Sequence, residues 1–129
     1  ETGCWGLVTT KMQEDPNWYE DSPFRIKIKK LIEEKKINLV LDIHGKKNDG
    51  ESVMDFYPNM MVKNICNLKM KGARIIHFKN DEQLTIAEDL GGAGVACIEI
   101  EINEEGRTAG TRENRLVAKY LREIIQNVD

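Results

Sequence analysis

Residues 37–45 read Ile37-Asn38-Leu39-Val40-Leu41-Asp42-Ile43-His44-Gly45, a near-continuous apolar run that closes on a histidine and a glycine. Apolar side chains on both sides of the pleat are expected of a strand covered on both faces, as in a parallel sheet. The segment before it opens with Ser22-Pro23, a helix start with Ser as N-cap and Pro at the first helical position. Phe24, Ile28, Leu31, Ile32 and Lys35 then follow at i, i+4, i+7, i+8 and i+11. This apolar stripe, closed by a lysine, predicts a helix to about Lys36.

Working outward, Trp5 to Thr10 has the composition of a short strand, and residues 11–22 that of a surface loop. Gly45 to Ser52 is a second loop. Pro58 is expected to open a helix through Met61, Ile65 and Leu68, stopped by Gly72. Ala73 to Phe78 reads as a strand, and Thr85 to Leu90 as a short helix ended by Gly91-Gly92. Gly94 to Asn103 is the longest strand signal. A loop from Glu104 to Gly110 leads to a final helix with Leu116, Val117, Tyr120, Leu121, Ile124, Ile125 and Val128 on one stripe. Alternating helices and strands of this kind predict a single three-layer α/β domain over residues 1–129, with a mainly parallel sheet and helices on both faces. Ligands bind such sheets outside the carboxyl ends of the strands. That rule selects Asp42 to Gly45 and Glu99 to Asn103.

The 129 residues suffice for one core, and 40% hydrophobic with 32% charged residues is ordinary for a globular chain. A net charge of −3 argues against a general nucleic-acid surface. The basic cluster from Arg25 to Lys30, with Lys35 and Lys36, reads as a solvated helix face. There is no membrane-length apolar run and no signal-peptide pattern. Cys4, Cys66 and Cys97 are odd in number and lack CxxC spacing, as expected of buried thiols in a reducing cytoplasm.

Asp42 precedes His44 by two residues, so both project to one face if the strand extends that far. A carboxylate beside a histidine fixes its tautomer for metal ligation or acid–base work, while a histidine satisfied by a loop carbonyl is the structural alternative. Along Cys97 to Ile102, Ile98, Ile100 and Ile102 share one face and Cys97, Glu99 and Glu101 the other. In a central strand the two carboxylates need a cation, a metal or donors; with one wet face they need nothing. Arg107 and Arg112 flank the following loop and could grip a substrate carboxylate, or simply be solvated. His77 reads as structural, Trp18 and Tyr19 as a pocket rim or core cover. Gly91 to Gly94 lacks the spacing of a phosphate loop, and no serine sits on a nucleophile elbow.

The ordered set Asp15-Pro16-Asn17, Ser22-Pro23-Phe24, Leu39 to Gly45 and Ile98 to Asn103 resembles the N-formylglutamate amidohydrolase family, itself similar to the zinc carboxypeptidases and aspartoacylases. The resemblance implies a zinc-dependent hydrolase cleaving an amide of a small acidic substrate such as an acylated amino acid. On it His44 matches a metal-ligand histidine, Asp42 its supporting neighbour, and Glu101 the catalytic or substrate-site glutamate. Glu99 falls where the family has glutamine, and Gly45 where it often has serine. Arg107 or Arg112 would neutralise the substrate carboxylate. Zinc would lower the pKa of its bound water and polarise the carbonyl. The family's upstream histidine and acidic ligand have no match here, and the chain begins Glu1-Thr2-Gly3-Cys4 without Met. The expectation is the C-terminal part of a longer amidohydrolase-like domain. The alternatives are a non-catalytic α/β binding domain without a complete metal site, and an interaction module whose Glu99 and Glu101 face solvent far from His44.

Overall fold

A computed structural model describes residues 4–8, 16, 19–65, 70–77 and 85–127. Helix α1 spans Pro23–Lys35 and leads into strand β1, Leu39–Gly45. Strands β2, Met54–Pro58, and β3, Ala73–Ile75, come next. Then follow α2, Ile86–Gly92, and β4, Ala96–Ile102. A single turn, α3, Glu104–Arg107, precedes α4, Arg112–Asn127. Ser22 caps α1, its hydroxyl accepting from the Arg25 amide at 3.2 Å.

The four strands form one sheet in the order β1-β4-β2-β3. β1 runs parallel to β4 and β2 parallel to β3, while β2 and β4 are antiparallel. Parallel pairing therefore dominates, as expected, around one antiparallel seam. On one face Met54, Phe56, Ile98, Ile100 and Ile102 pack against Val117, Tyr120 and Ile124 of α4. On the other, Cys97 and Val40 meet Ile86, Ala87 and Leu90 of α2 and Phe24, Ile28 and Ile32 of α1. Helices thus cover both faces, giving three layers. Each fully buried isoleucine contributes roughly 1.5–3 kcal/mol relative to an exposed one.

β2 lies after the expected loop, in residues to which the sequence reading assigns no element before Pro58, and no α-helix occupies the described residues 58–65 and 70–72 of the helix expected from Pro58 to Gly72. Pro58 ends β2 rather than starting a helix. Beyond it, Asn59 carries on the pairing: its backbone N–H donates to Cys97 O at 2.9 Å and its Oδ1 accepts from Cys97 N at 3.2 Å. The Asn59 amide also donates to Ala87 O at 2.8 Å and Val95 O at 3.0 Å, tying α2 to the sheet. Residues 66–69 lie outside the described set. Residues 5–8 form no strand, and residues 9 and 10 of that expected strand are not among those described. β3 stops at Ile75, leaving His77 exposed just past it, and Phe78 lies outside the described residues. α2 ends at Gly92, so Gly91 and Gly92 form its last residues, as expected of its stop. Arg25, expected on a solvated face, is 1% exposed. Cys97 is buried but Cys4 is exposed, and Cys66 is not among the described residues. Tyr19 is exposed, and Trp18 lies outside the described residues. No helix among the described residues is long and apolar enough to cross a membrane.

Gly106 of α3 is where α3, α4 and β4 meet. A Cβ there would stand 2.7 Å from Ile102 Cγ2 and 3.0 Å from methyls of Val117 and Val53. Gly106→Ala is expected to lower unfolding free energy by about 1–3 kcal/mol through overpacking, read from urea denaturation midpoints.

Candidate functional site

Strand register assembles the site. In the parallel pair, Asp42 stands opposite Glu99 and His44 opposite Glu101. In the antiparallel pair, Tyr57 stands opposite Glu99 and Asp55 opposite Glu101. Arg74 of β3 is opposite Asp55. Residues directly opposite one another share a face. One row across all four strands therefore reads His44, Glu101, Asp55, Arg74, and the row beside it Asp42, Glu99, Tyr57. Both rows lie on the Cys97 and Val40 face. α1 and α2 cover that face at Cys97 and Val40, leaving His44, at the carboxyl end of β1, with 31% of its side chain exposed.

β1 continues to Gly45, so Asp42 and His44 do share a face. His44 Nε2 lies 3.1 Å from Asp42 Oδ2, and the Asp42 side chain is 10% exposed. Glu99 and Glu101 are half-buried in a central strand, neither sealed nor facing open solvent. Their position beside Asp42 and His44 removes the reading in which they lie far from the histidine. The Tyr57 hydroxyl donates to Glu101 Oε2 at 3.2 Å. Burial, and then the charges of Glu101 and Asp55, push the Tyr57 phenol up to about 12, so it remains a donor at neutral pH. Burial, reinforced by the Asp42 and Glu99 charges, raises the Cys97 thiol, which makes it a packing group rather than a nucleophile.

At the other end of the row, Asp55 is 1% exposed and fully engaged. Arg74 donates to both its oxygens, Nε to Oδ1 at 2.7 Å and Nη2 to Oδ2 at 2.6 Å. Lys46 Nζ adds 2.7 Å to Oδ2, and the Ser52 hydroxyl donates to Oδ1. Burial opposes ionisation, but these cations and donors together hold the Asp55 carboxyl down at about 2. Lys46 and Arg74 also pair with Asp49, and Arg74 with Glu51. This end of the row is a closed structural network.

Arg107 and Arg112 are not brought to this face. The Arg107 guanidinium occupies the space a Cβ on Gly45 would need, 2.9 Å from its Cζ, which puts it on the Ile43 side of β1, opposite His44. Its Nε donates to Ile102 O at 3.1 Å. Arg112 opens α4, which packs on that same opposite face, and is exposed. The sequence reading missed Asp55, Tyr57, Lys46 and Arg74. Alternation in Met54-Asp55-Phe56-Tyr57 signals a strand, but the turn formers before it and Pro58 after it masked that signal.

A cleft of about 400 Å³ adjoins the second row, lined by Tyr57, Pro58, Met60, Ala87, Gly92 and Glu99 among others. His44, with a carboxylate on one ring nitrogen, is arranged as metal-binding imidazoles commonly are. A catalytic zinc takes about three protein ligands, however. Among the described residues no group of three or more His, Cys, Asp or Glu is placed to hold an ion. The described residues by themselves do not fit a zinc.

Asp55 has a folded-state pKa below its ordinary 3.8, so its contribution is complete above pH 4 and is lost as pH falls through about 2. Wild type is expected to lose about 2 kcal/mol more than Asp55→Asn between pH 5 and pH 2, measured by urea denaturation at each pH. In spectrophotometric titration, Tyr57→Phe should remove a phenolate component with its midpoint at about 12.

No family model matches this chain, and neither a curated protein nor a solved structure is significantly similar to it.

Proposed function

We propose that this chain carries the reacting groups of an amide-bond hydrolase of the N-formylglutamate amidohydrolase type, acting on a small acylated amine or amino acid. The observation that supports it most is the register, which sets His44 directly opposite Glu101 at the carboxyl ends of two adjacent parallel strands. That is the edge where α/β sheets bind ligands. Asp42 Oδ2 lies 3.1 Å from His44 Nε2 and orients the ring at the strand end where a substrate carbonyl would sit. Tyr57 holds Glu101 Oε2, leaving Oε1 as the oxygen that takes a proton from the attacking water. Water oxygen bonds to the carbonyl carbon, the C–N bond breaks, and Glu101 passes the proton to the departing nitrogen. The products are a carboxylic acid and an amine.

A non-catalytic binding domain is the second reading. It is favoured by Asp55, in the same row as His44 and Glu101, which is already neutralised by Lys46 and Arg74. It predicts ligand binding without turnover.

The test is hydrolysis of N-formyl and N-acetyl amino acids, with zinc content measured alongside, for the protein expressed from its whole reading frame. His44→Ala and Glu101→Gln should each lose about 100-fold or more in kcat/KM with the fold retained by circular dichroism. Equal activity in all three proteins would end the hydrolase reading. Stoichiometric zinc lost in His44→Ala would make the histidine a ligand; turnover without zinc would make it an acid–base group.

A further inference from the structure

Residues 46–52 follow the candidate site directly, and their path is fixed by the strands at either end. Gly45 and Met54 stand opposite Ile102 from its two sides, so the segment between them crosses the carboxyl end of β4. α3 and the Arg107 guanidinium fill the α4 side of that end. The segment crosses on the other side, where Lys46 Nζ reaches Asp55 and Asp49 reaches Arg74. Asp55 and Arg74 belong to the row of His44 and Glu101, and β4 lies between β1 and β2. The Lys46 side chain therefore crosses β4 on the Glu101 side.

Backbone hydrogen bonds hold this segment only at its ends. Lys46 N donates to Ile102 O at 2.9 Å, and beyond the far end Val53 N donates to Gly72 O at 2.9 Å. Residues 47–52 make no backbone-to-backbone bond with any other described residue. Ser52 belongs to the anchored end, its hydroxyl bound to Asp55. The middle is held chiefly by Asp49. Its Oδ1 accepts from the Glu51 and Ser52 amides at 3.0 and 3.3 Å, and its Oδ2 meets Lys46 Nζ and Arg74 Nη2, each at 3.0 Å. The Glu51 carboxylate adds a contact to Arg74. The Asp49 side chain is 36% exposed and that of Glu51 67%, so water and salt compete for both. A segment without ladder bonds and with a solvated latch opens at lower free energy than the sheet beneath it. It also has slack. Two strand spacings are about 10 Å, whereas the residue steps from Lys46 to Val53 can span about 23–25 Å. Gly50, at φ +73°, supplies the turn.

From this geometry we infer that residues 46–52 form a strap, latched shut on Asp49, which opens without movement of β1 or β2 and gates access to the His44–Glu101 row. The row is the one assigned to the proposed hydrolase, and only the cargo, a small acylated amine or amino acid, rests on that reading.

The test compares wild type with Asp49→Asn, each expressed from the whole reading frame. Asparagine keeps Oδ1 for the Glu51 and Ser52 amides and removes only the charge that meets Lys46 and Arg74. Labelling of His44 by diethyl pyrocarbonate, read by mass spectrometry against the exposed His77 in the same sample, should quicken at least about threefold, the worth of one partly exposed ion pair. Amide hydrogen exchange at residues 48–52 should quicken with it, while Ile98 and Ile100 of β4 keep their wild-type protection. Glu51→Gln, which leaves Asp49 in place, should do less. Unchanged labelling of His44 in Asp49→Asn, faster labelling without faster exchange in the strap, or a larger effect from Glu51→Gln would each overturn the inference. Turnover separates it from the hydrolase reading. A protein whose strap responds as described but which hydrolyses no amide loses only the hydrolase. One that hydrolyses N-formyl amino acids while labelling and exchange ignore Asp49→Asn loses only the strap.

Discussion

The parallel pairing of β1 with β4 is the constraint on which the site depends. Because side chains alternate with a period of two, a slip of one residue would send Asp42 and His44 to the opposite face from Glu99 and Glu101. The pairing instead sets Asp42 against Glu99 and His44 against Glu101. Ile98, Ile100 and Ile102 pin that register, since all three must lie under α4 and are almost completely buried there. Packing on one face thus fixes the placement of charge on the other.

The charged face remains stable because its two ends are handled differently. Toward β3, Asp55 is sealed, and Arg74, Lys46 and Ser52 supply every donor that a buried carboxylate needs. Breaking that set would leave a buried charge uncompensated, which is why such networks are all-or-none. Toward β1, the helices stop short of the strand ends, and His44, Glu99 and Glu101 keep partial access to water. Partial solvation lowers the cost of acidic groups side by side. Tyr57 joins the two regimes, donating to Glu101 from the neighbouring strand.

Much of the architecture was legible because its signals are local. Ser22-Pro23, the α1 stripe, the apolar run of β1, the strict alternation of β4 and the final helix all appear close to where they were expected. β2 was missed because five residues that follow turn formers and end on a proline carry little local signal; its place comes from pairing with β4 and from Met54 and Phe56 entering the core. Arg25 reads as one of several basic helix residues, yet it lies on the side of α1 that packs inward. Helical spacing could have singled it out, since it follows Phe24 and precedes Ile28 by three positions.

The sequence by itself determined the three-layer class, the strands β1 and β4 whose ends carry the candidate site, and the shared face of Asp42 with His44. These follow from periodicity within single elements, which needs no partner to be read. Only the tertiary structure decided that β1 and β4 are neighbours, that Asp55 and Arg74 extend the His44–Glu101 row, and that Arg107 lies behind the sheet. Those are facts of strand order and register, set by which apolar faces bury together across many residues, and no local pattern encodes them.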